Sequence, residues 1–310
     1  GYHDEALAFH VSVAVEIPPG RYDLTVLRTA IKAGDLETAR VHAERFVRAS
    51  KRQAQACEHV GNIFYGNLRY EDAYRFMNRA YELAPKGPSP KLLERLLDVS
   101  LKIGKAQEVK RWISLLVPNP DSRKVRDEYL HTAAEALAQM GLWSEADHYL
   151  VRWARRRPGM PSRWLKVAAI RLALDDAPGL VQTLVLAWTK EKEERREVLL
   201  RKIQSLLLSK ERPELLVSVA EALDEKKPGE TAVLMLKGEG LLFLGKGEKG
   251  ADAMREALHA SNMPEEVWKK AYDLLHKLAS PDVTLRFVRE AMVLLPNEHG
   301  LERVLGDVYM

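Results

Sequence analysis

Small and large apolar residues alternate along the chain with a helical period. The clearest stretch is residues 57–85, CEHVGNIFYGNLRYEDAYRFMNRAYELAP, in which Gly61, Ala73 and Ala80 are small and Pro85 ends the pattern. A period of about 3.6 residues predicts a helix, a short turn and a second helix that stops at the proline. Antiparallel helices approach closely only where side chains are small, so we expect Ala73 to lie at a close-packed crossing.

The same pattern returns along the whole chain. The position that Ala73 holds recurs with spacings of 34, 36, 37, 34, 36, 34 and 34 residues. The residues at this position are Ala39, Ala73, Val109, Ala146, Leu180, Leu216, Gly250 and Thr284. A period near 34 with two helices in each period predicts an array of helical repeats, each packed against its neighbours.

The pattern divides residues 1–310 into a single array of eight complete repeats. Their predicted bounds are 20–53, 54–87, 90–121, 127–160, 161–193, 197–229, 231–264 and 265–298. In each repeat a first helix, a turn and a second helix follow one another.

Each end of the chain holds part of a repeat. Residues 1–19 fit a second helix, with Gly1 in the turn and Ala6 at the crossing, and residues 299–310 fit the first helix of a further repeat. The alternation in residues 9–15, FHVSVAV, favours a strand when taken alone, but the repeats that follow favour a helix. Because neither end carries a polar capping unit, we expect the sequence to be a piece excised from a longer array.

These residues resemble the pattern of the tetratricopeptide repeat (TPR) family. The positions that match it best are Gly61, Phe64, Tyr70, Ala73, Ala80 and Pro85. The resemblance covers nearly the whole chain. It is specific in the repeats that begin near residues 54, 127, 231 and 265 and loose in those that begin near residues 90, 161 and 197. The pentatricopeptide repeat has a similar period, but the small residues and the proline favour TPR. The resemblance implies an all-α fold, a right-handed α-solenoid (superhelix) of about eight helix–turn–helix units with half-units at both ends.

The sequence holds no constellation typical of catalysis or of a metal site. His131 and Glu135 lie four residues apart, on one helix face, and could hold a metal or pass a proton, but a hydrogen-bonded helix pair is the simpler interpretation. Gly245-Lys246-Gly247 falls at a turn between two helices and resembles a phosphate loop only superficially. We therefore expect a chain without enzymatic activity, cofactor or metal.

Charge and hydropathy narrow the range of partners. The chain is 30% charged with a net charge of +4, which does not predict nucleic-acid binding. No apolar run reaches about 18 residues, so we expect no membrane insertion by this segment. The single Cys57 excludes an internal disulfide and leaves the compartment open, with the bacterial periplasm as our first expectation and the cytoplasm as the second.

The resemblance also implies a location for the partner, because in TPR proteins the first helices line the concave face. We expect a protein partner there, on a polar cluster centred on two successive first helices. Residues three or four apart share one helix face, and stacked repeats would place the two faces side by side. The predicted partner-binding residues are Asn62, Tyr65, Lys91, Arg95 and Asp98, with His131 and Glu135. The alternative is that Arg95 and Asp98 simply pair with each other and that the groove binds no partner.

The predicted function is a non-catalytic protein–protein interaction scaffold. The long array is similar to the periplasmic TPR regions of bacterial exopolysaccharide-export proteins, which implies a role in an envelope complex. Two alternatives stay open. One is a cytoplasmic TPR adaptor or co-chaperone-like peptide binder, although only Lys91 and Arg95 match the positions of a carboxylate clamp. The other is a nucleic-acid-binding helical repeat protein.

Overall fold

The structure is a computed structural model that describes residues 2–84 and 87–309. Every regular element in these residues is an α-helix, and residues 9–15 are helical like their neighbours. Gly1 and Pro85, which the sequence places in a turn and at a helix end, lie outside the described residues. No helix of the described chain combines the length and the apolar character that crossing a bilayer requires.

The described residues form eighteen helices, which occupy most of the chain. In chain order they are α1 (Tyr2–Glu16), α2 (Arg21–Ala33), α3 (Leu36–Ala49), α4 (Gln53–Gly66), α5 (Tyr70–Glu82), α6 (Pro90–Lys102), α7 (Ala106–Leu116), α8 (Asp127–Gln139), α9 (Trp143–Arg156), α10 (Pro161–Ala173), α11 (Ala177–Lys190), α12 (Glu193–Leu208), α13 (Pro213–Asp224), α14 (Thr231–Phe243), α15 (Gly247–Ala260), α16 (Pro264–Leu278), α17 (Pro281–Leu294) and α18 (His299–Tyr309).

The helices belong to two compact units, Gly1–Leu142 and Trp143–Met310. In the first unit α2 packs on α3, α4 on α5 and α6 on α7. In the second unit α10 packs on α11, α12 on α13, α14 on α15 and α16 on α17. We call the even-numbered helices from α2 to α16 the first helices and the odd-numbered helices from α3 to α17 the second helices. Each unit is thus a stack of helix pairs, and the fold is an all-α helical repeat.

The predicted crossing residues occupy one structural position. Each is the fourth residue of its second helix, and each is buried; they are Ala39, Ala73, Val109, Ala146, Leu180, Leu216, Gly250 and Thr284. At the crossing of α4 and α5, a Cβ atom added to Gly61 would lie 3.3 Å from the backbone oxygen of Ala73. The small residues therefore allow the backbones to approach, as the sequence predicts.

In the turns that precede α3, α5, α7, α9, α11, α13 and α15, a left-handed residue lies two positions before the second helix. The turn before α17 differs, since Ala279 has φ −110°. Glycine holds this position in several pairs, as Gly104 does with φ 70°. Leu68, Asp175 and Glu211 adopt the same conformation with φ of 60°, 56° and 55°. A side chain in this region costs roughly 1–2 kcal/mol, so the repeat geometry overrides the preference of these residues.

A buried ionic cluster joins α2 to α3. The Asp23 carboxylate is 2% exposed and lies 2.7 Å from His42 Nδ1 and 3.2 Å from Arg45 Nε. Its second oxygen accepts a hydrogen bond of 2.8 Å from the Gly20 backbone N–H, at the start of α2. The cluster satisfies both oxygens of a buried carboxylate, which would otherwise be costly to bury.

Candidate partner-binding surfaces

The helices α4 and α6 bring three of the predicted site residues together. The Tyr65 hydroxyl of α4 donates a hydrogen bond to Asp98 Oδ2 of α6. The guanidinium carbon of Arg95 lies 4.7 Å from the centroid of the Tyr65 ring, within the range of a cation–π contact. The hydrogen bond to the Asp98 carboxylate and partial burial raise the pKa of Tyr65 above its ordinary value. We call Tyr65, Arg95 and Asp98 the tyrosine cluster.

The pairing inside the tyrosine cluster differs from the alternative expected from the sequence. No ion pair joins Arg95 and Asp98, both of which the structure describes. Each contacts Tyr65 instead, Asp98 at the hydroxyl and Arg95 at the ring face. Both charged groups therefore hold the tyrosine, and the guanidinium keeps its hydrogen-bond donors for another acceptor.

Asn62 and Lys91 flank the tyrosine cluster. Asn62 precedes Tyr65 by one helical turn on α4, and Lys91 precedes Arg95 by one turn on α6; both are exposed. A further cation–π contact follows on the same two repeats, where Lys102 Nζ lies 5.3 Å from the centroid of the Tyr70 ring. The predicted face thus offers an amide, a phenol, a carboxylate and several cations.

His131 and Glu135 form a pair along one face of α8. His131 Nε2 lies 3.1 Å from Glu135 Oε1, at the i,i+4 spacing of an ordinary helix pair. Within residues 2–84 and 87–309, no group of three or more His, Cys, Asp or Glu side chains could hold a metal ion. The contact matches the simpler interpretation of the sequence.

The second unit contains a cavity that the sequence did not predict as a site. It has a volume of about 630 Å³ and is lined by the first helices α12, α14 and α16 together with residues 261–263. Leu200, Leu236 and Val267, one from each helix, form apolar parts of its wall and are themselves buried. We call it the second-unit cavity.

A buried acid lies in the wall of the second-unit cavity. Glu239 of α14 is 8% exposed, and its Oε2 accepts a hydrogen bond of 2.5 Å from Gln204 Nε2 of α12. Burial raises the pKa of the Glu239 carboxyl above the ordinary 4.5, and the Gln204 hydrogen bond opposes that shift only in part. Gln204 occupies the position where the repeat pattern expects a small residue, and this departure from the pattern is the sequence feature that marks the pair.

The cations of the second-unit cavity are already paired. Glu197 Oε1 lies 2.6 Å from a guanidinium nitrogen of Arg201 and 3.8 Å from Lys270 Nζ. The hydrogen bond from Arg201 lowers the pKa of Glu197. Glu266 and Asp273 also line the cavity and are exposed, and no ion pair engages either of them in the described chain. Among the described residues, three acids of the cavity therefore have no cation as partner: Glu239, Glu266 and Asp273.

Glu239→Gln is expected to stabilise the fold at neutral pH. The raised pKa means that the folded state binds a proton at Glu239 more tightly than the unfolded state does. The contribution of Glu239 to stability is therefore fully present below pH 4.5 and is lost as the pH rises through the folded pKa. A glutamine keeps an oxygen that can accept from Gln204 and carries no charge. The measurement is urea denaturation at a series of pH values. The free energy of unfolding of the variant should exceed that of the wild type at pH 7, and this difference should shrink towards pH 4.

The matched control for that prediction is Glu265→Gln. Glu265 is exposed and does not line the second-unit cavity, so its substitution should leave the pH dependence unchanged. A Glu239→Gln variant that is less stable than the wild type at pH 7 would contradict the assignment of a raised pKa.

Comparison with known proteins returned only structural likenesses. No protein-family model matches the chain, and no curated protein matches it. A tetratricopeptide repeat protein from Parabacteroides merdae is similar over 82% of this chain and 97% of that chain, with 14% identity and a TM-score of 0.41. The C-terminal part of a TPR repeat-containing protein from Cytophaga hutchinsonii is similar over 80% and 98%, with 10% identity and a TM-score of 0.39.

A yeast TPR2AB domain, solved in complex with pHSP90, is a further similar structure. The similarity extends over 84% of this chain and 100% of that chain, with 11% identity and a TM-score of 0.34. The fold assignment rests on the helix order and the buried crossing positions described above.

Proposed function

We propose that the chain is a non-catalytic protein-interaction scaffold that binds a protein partner on the first helices of the Gly1–Leu142 unit. The binding residues are Asn62, Tyr65, Lys91, Arg95 and Asp98, and His131 and Glu135 on α8 extend the surface. As in the TPR family, this surface would be the concave face. The proposal gives the chain no catalytic residue, no cofactor and no nucleic-acid partner.

The tyrosine cluster is the observation that carries this proposal. Tyrosine and arginine are over-represented among the residues that dominate binding energy at interfaces. Here Tyr65 is already held by Asp98 and Arg95 before any partner arrives. A side chain fixed in advance loses less conformational entropy on binding. The exposed Asn62 and Lys91 add adaptable hydrogen-bond donors at the edge of the cluster.

A capture experiment with a charge-reversed variant tests the proposal. Immobilised wild type and Lys91→Glu/Arg95→Glu are incubated with extract of the source organism, and the retained proteins are quantified by mass spectrometry. We expect the variant to retain at least about tenfold less of the specific partner than the wild type, since both cations contribute to one surface. Far-ultraviolet circular dichroism of both proteins confirms that the variant is folded.

The matched control is Arg48→Glu/Lys51→Glu. It introduces the same change of charge at exposed residues on and just after the second helix α3. The control should retain the partner at the wild-type level. Equal retention by the wild type and by Lys91→Glu/Arg95→Glu would place the binding site elsewhere.

As the finer assignment, we propose that the scaffold serves an exopolysaccharide-export complex of the bacterial envelope, in the periplasm. The support is the resemblance of the repeat pattern to the periplasmic TPR regions of export proteins. The captured partner and fractionation of the source cells test this assignment. An envelope or polysaccharide-export component in the periplasmic fraction would support it, and a cytoplasmic chaperone partner would replace it with the adaptor function.

A further inference from the structure

The second-unit cavity combines apolar walls with acids that have no cation. The tyrosine cluster lies in the first unit, so the chemistry of this cavity has no part in the site proposed above. A volume of about 630 Å³ falls within the 300–1,000 Å³ that ligand sites usually occupy. The cavity is therefore large enough for a few side chains of a partner.

We propose that the second-unit cavity binds a segment of a partner protein through a lysine or arginine side chain whose cationic end reaches Glu239. The apolar neighbours of that basic residue would pack against Met235, Met263 and Leu274, which line the cavity and are at least partly exposed. This inference rests on the proposed scaffold function in that the ligand is a protein, but it assigns a separate site in the Trp143–Met310 unit.

The distribution of charge selects a cationic ligand. The cavity is lined by four acids and two bases, and the bases Arg201 and Lys270 both lie against Glu197. The other three acids would repel an anionic segment and attract a basic one. Glu266 and Asp273, which are exposed, add to the negative potential near Glu239.

The position of Glu239 also favours a cationic ligand. Its carboxyl group is in the wall of the cavity and nearly buried, and its described partner is the neutral amide of Gln204. A buried carboxylate is costly unless a cation or several hydrogen bonds accompany it. A partner ammonium or guanidinium group would supply the missing positive charge and the donors.

The apolar walls favour a basic side chain that is part of a peptide. Lysine and arginine carry apolar stems that pack along hydrophobic surface while the charged end finds a polar partner. Met235, Met263 and Leu274 provide such surface, since all three line the cavity and are at least partly exposed. A free polyamine has no apolar side chains to fill this space, so we expect it to bind more weakly than a peptide.

Binding of three capped peptides to the full chain tests this proposal. Each fluorescent peptide has one central residue between two leucines, and that residue is lysine, norleucine or glutamate. In anisotropy titrations we expect the lysine peptide to bind at least about tenfold more tightly than the norleucine peptide, a difference of about 1.4 kcal/mol. The glutamate peptide should show no saturable binding. Spermidine should compete only at higher concentration than unlabelled lysine peptide.

Two variants connect the binding to Glu239. Glu239→Gln keeps the shape of the side chain and should lose at least about tenfold affinity for the lysine peptide, while the weak affinity for the norleucine peptide stays unchanged. Glu265→Gln should bind like the wild type. Thermal denaturation shows whether Glu239→Gln is folded, and the expected gain in stability at neutral pH separates lost binding from unfolding.

The outcomes separate this site from the proposed interaction face. Lys91→Glu/Arg95→Glu should bind the lysine peptide like the wild type even though it loses the captured partner. Equal affinity for the three peptides, no binding of the lysine peptide up to about 1 mM, or unchanged affinity of Glu239→Gln would overturn the inference. Stronger competition by spermidine than by the peptide would also overturn it, because the ligand would then be a small amine.

Discussion

Replacement of Trp112 by alanine is expected to lower the free energy of unfolding by about 3–5 kcal/mol. Trp112 lies on α7, is 0% exposed and contacts the Tyr81 ring edge-on at 5.1 Å between centroids. Its Nε1 donates a hydrogen bond of 3.0 Å to the hydroxyl of Ser100, which is also 0% exposed. The alanine variant therefore leaves both a large cavity and a buried hydroxyl without this donor.

Trp112→Phe separates these two contributions. It retains an aromatic ring but removes the indole N–H, so we expect a smaller loss of about 1–3 kcal/mol from the Ser100 hydroxyl. Urea denaturation monitored by circular dichroism measures both variants. A loss below about 1 kcal/mol for Trp112→Ala would mean that α6 and α7 do not pack around this residue.

Gly238→Val is expected to lower the free energy of unfolding by about 1–3 kcal/mol. A Cβ atom on Gly238 would lie 2.8 Å from Met254 Cγ and 3.0 Å from the backbone oxygen of Gly250. Valine gains only a few tenths of a kcal/mol in helix propensity over glycine. The steric cost is larger, so the net effect of the substitution is to destabilise the fold. Denaturant titration of the full chain measures the effect.

The matched control is Gly66→Val. Gly66 is the last residue of α4, and a Cβ atom there would have no neighbour within 4 Å. The Gly66→Val substitution should therefore leave the denaturation midpoint nearly unchanged. A Gly238→Val midpoint equal to that of the wild type would show that α14 and α15 do not approach at Gly238 and Gly250.

The positions of the helices could be predicted because they depend on a repeated local requirement. Wherever two helices cross closely, one position must be buried, and residues as different as Ala39, Leu180 and Thr284 satisfy it at a spacing of 34–37 residues. Turn chemistry was less predictable. Asp175 departs from the glycine of other repeats and still adopts the same left-handed conformation, because the packed helices on either side fix it.

The pairing of side chains between repeats could be predicted only in part. The spacing of Tyr65, Arg95 and Asp98 places them on neighbouring first helices, but their rotamers decide that both charged groups contact the tyrosine. Gln204 and Glu239 lie 35 residues apart, which is one repeat period. That spacing indicates neighbouring first helices, although the burial of Glu239 depends on residues of three helices.

Hydroxyl-radical footprinting of the captured complex tests most directly whether the first helices carry the binding function. The chain is oxidised alone and with the protein that the wild type retains from extract, and the modification of single residues is compared by mass spectrometry. We expect Tyr65 on the first helix α4 to lose reactivity, while the exposed Val41 on α3 and Leu115 on α7 keep theirs. Protection of Val41 and Leu115 with Tyr65 unchanged would contradict the proposed binding face.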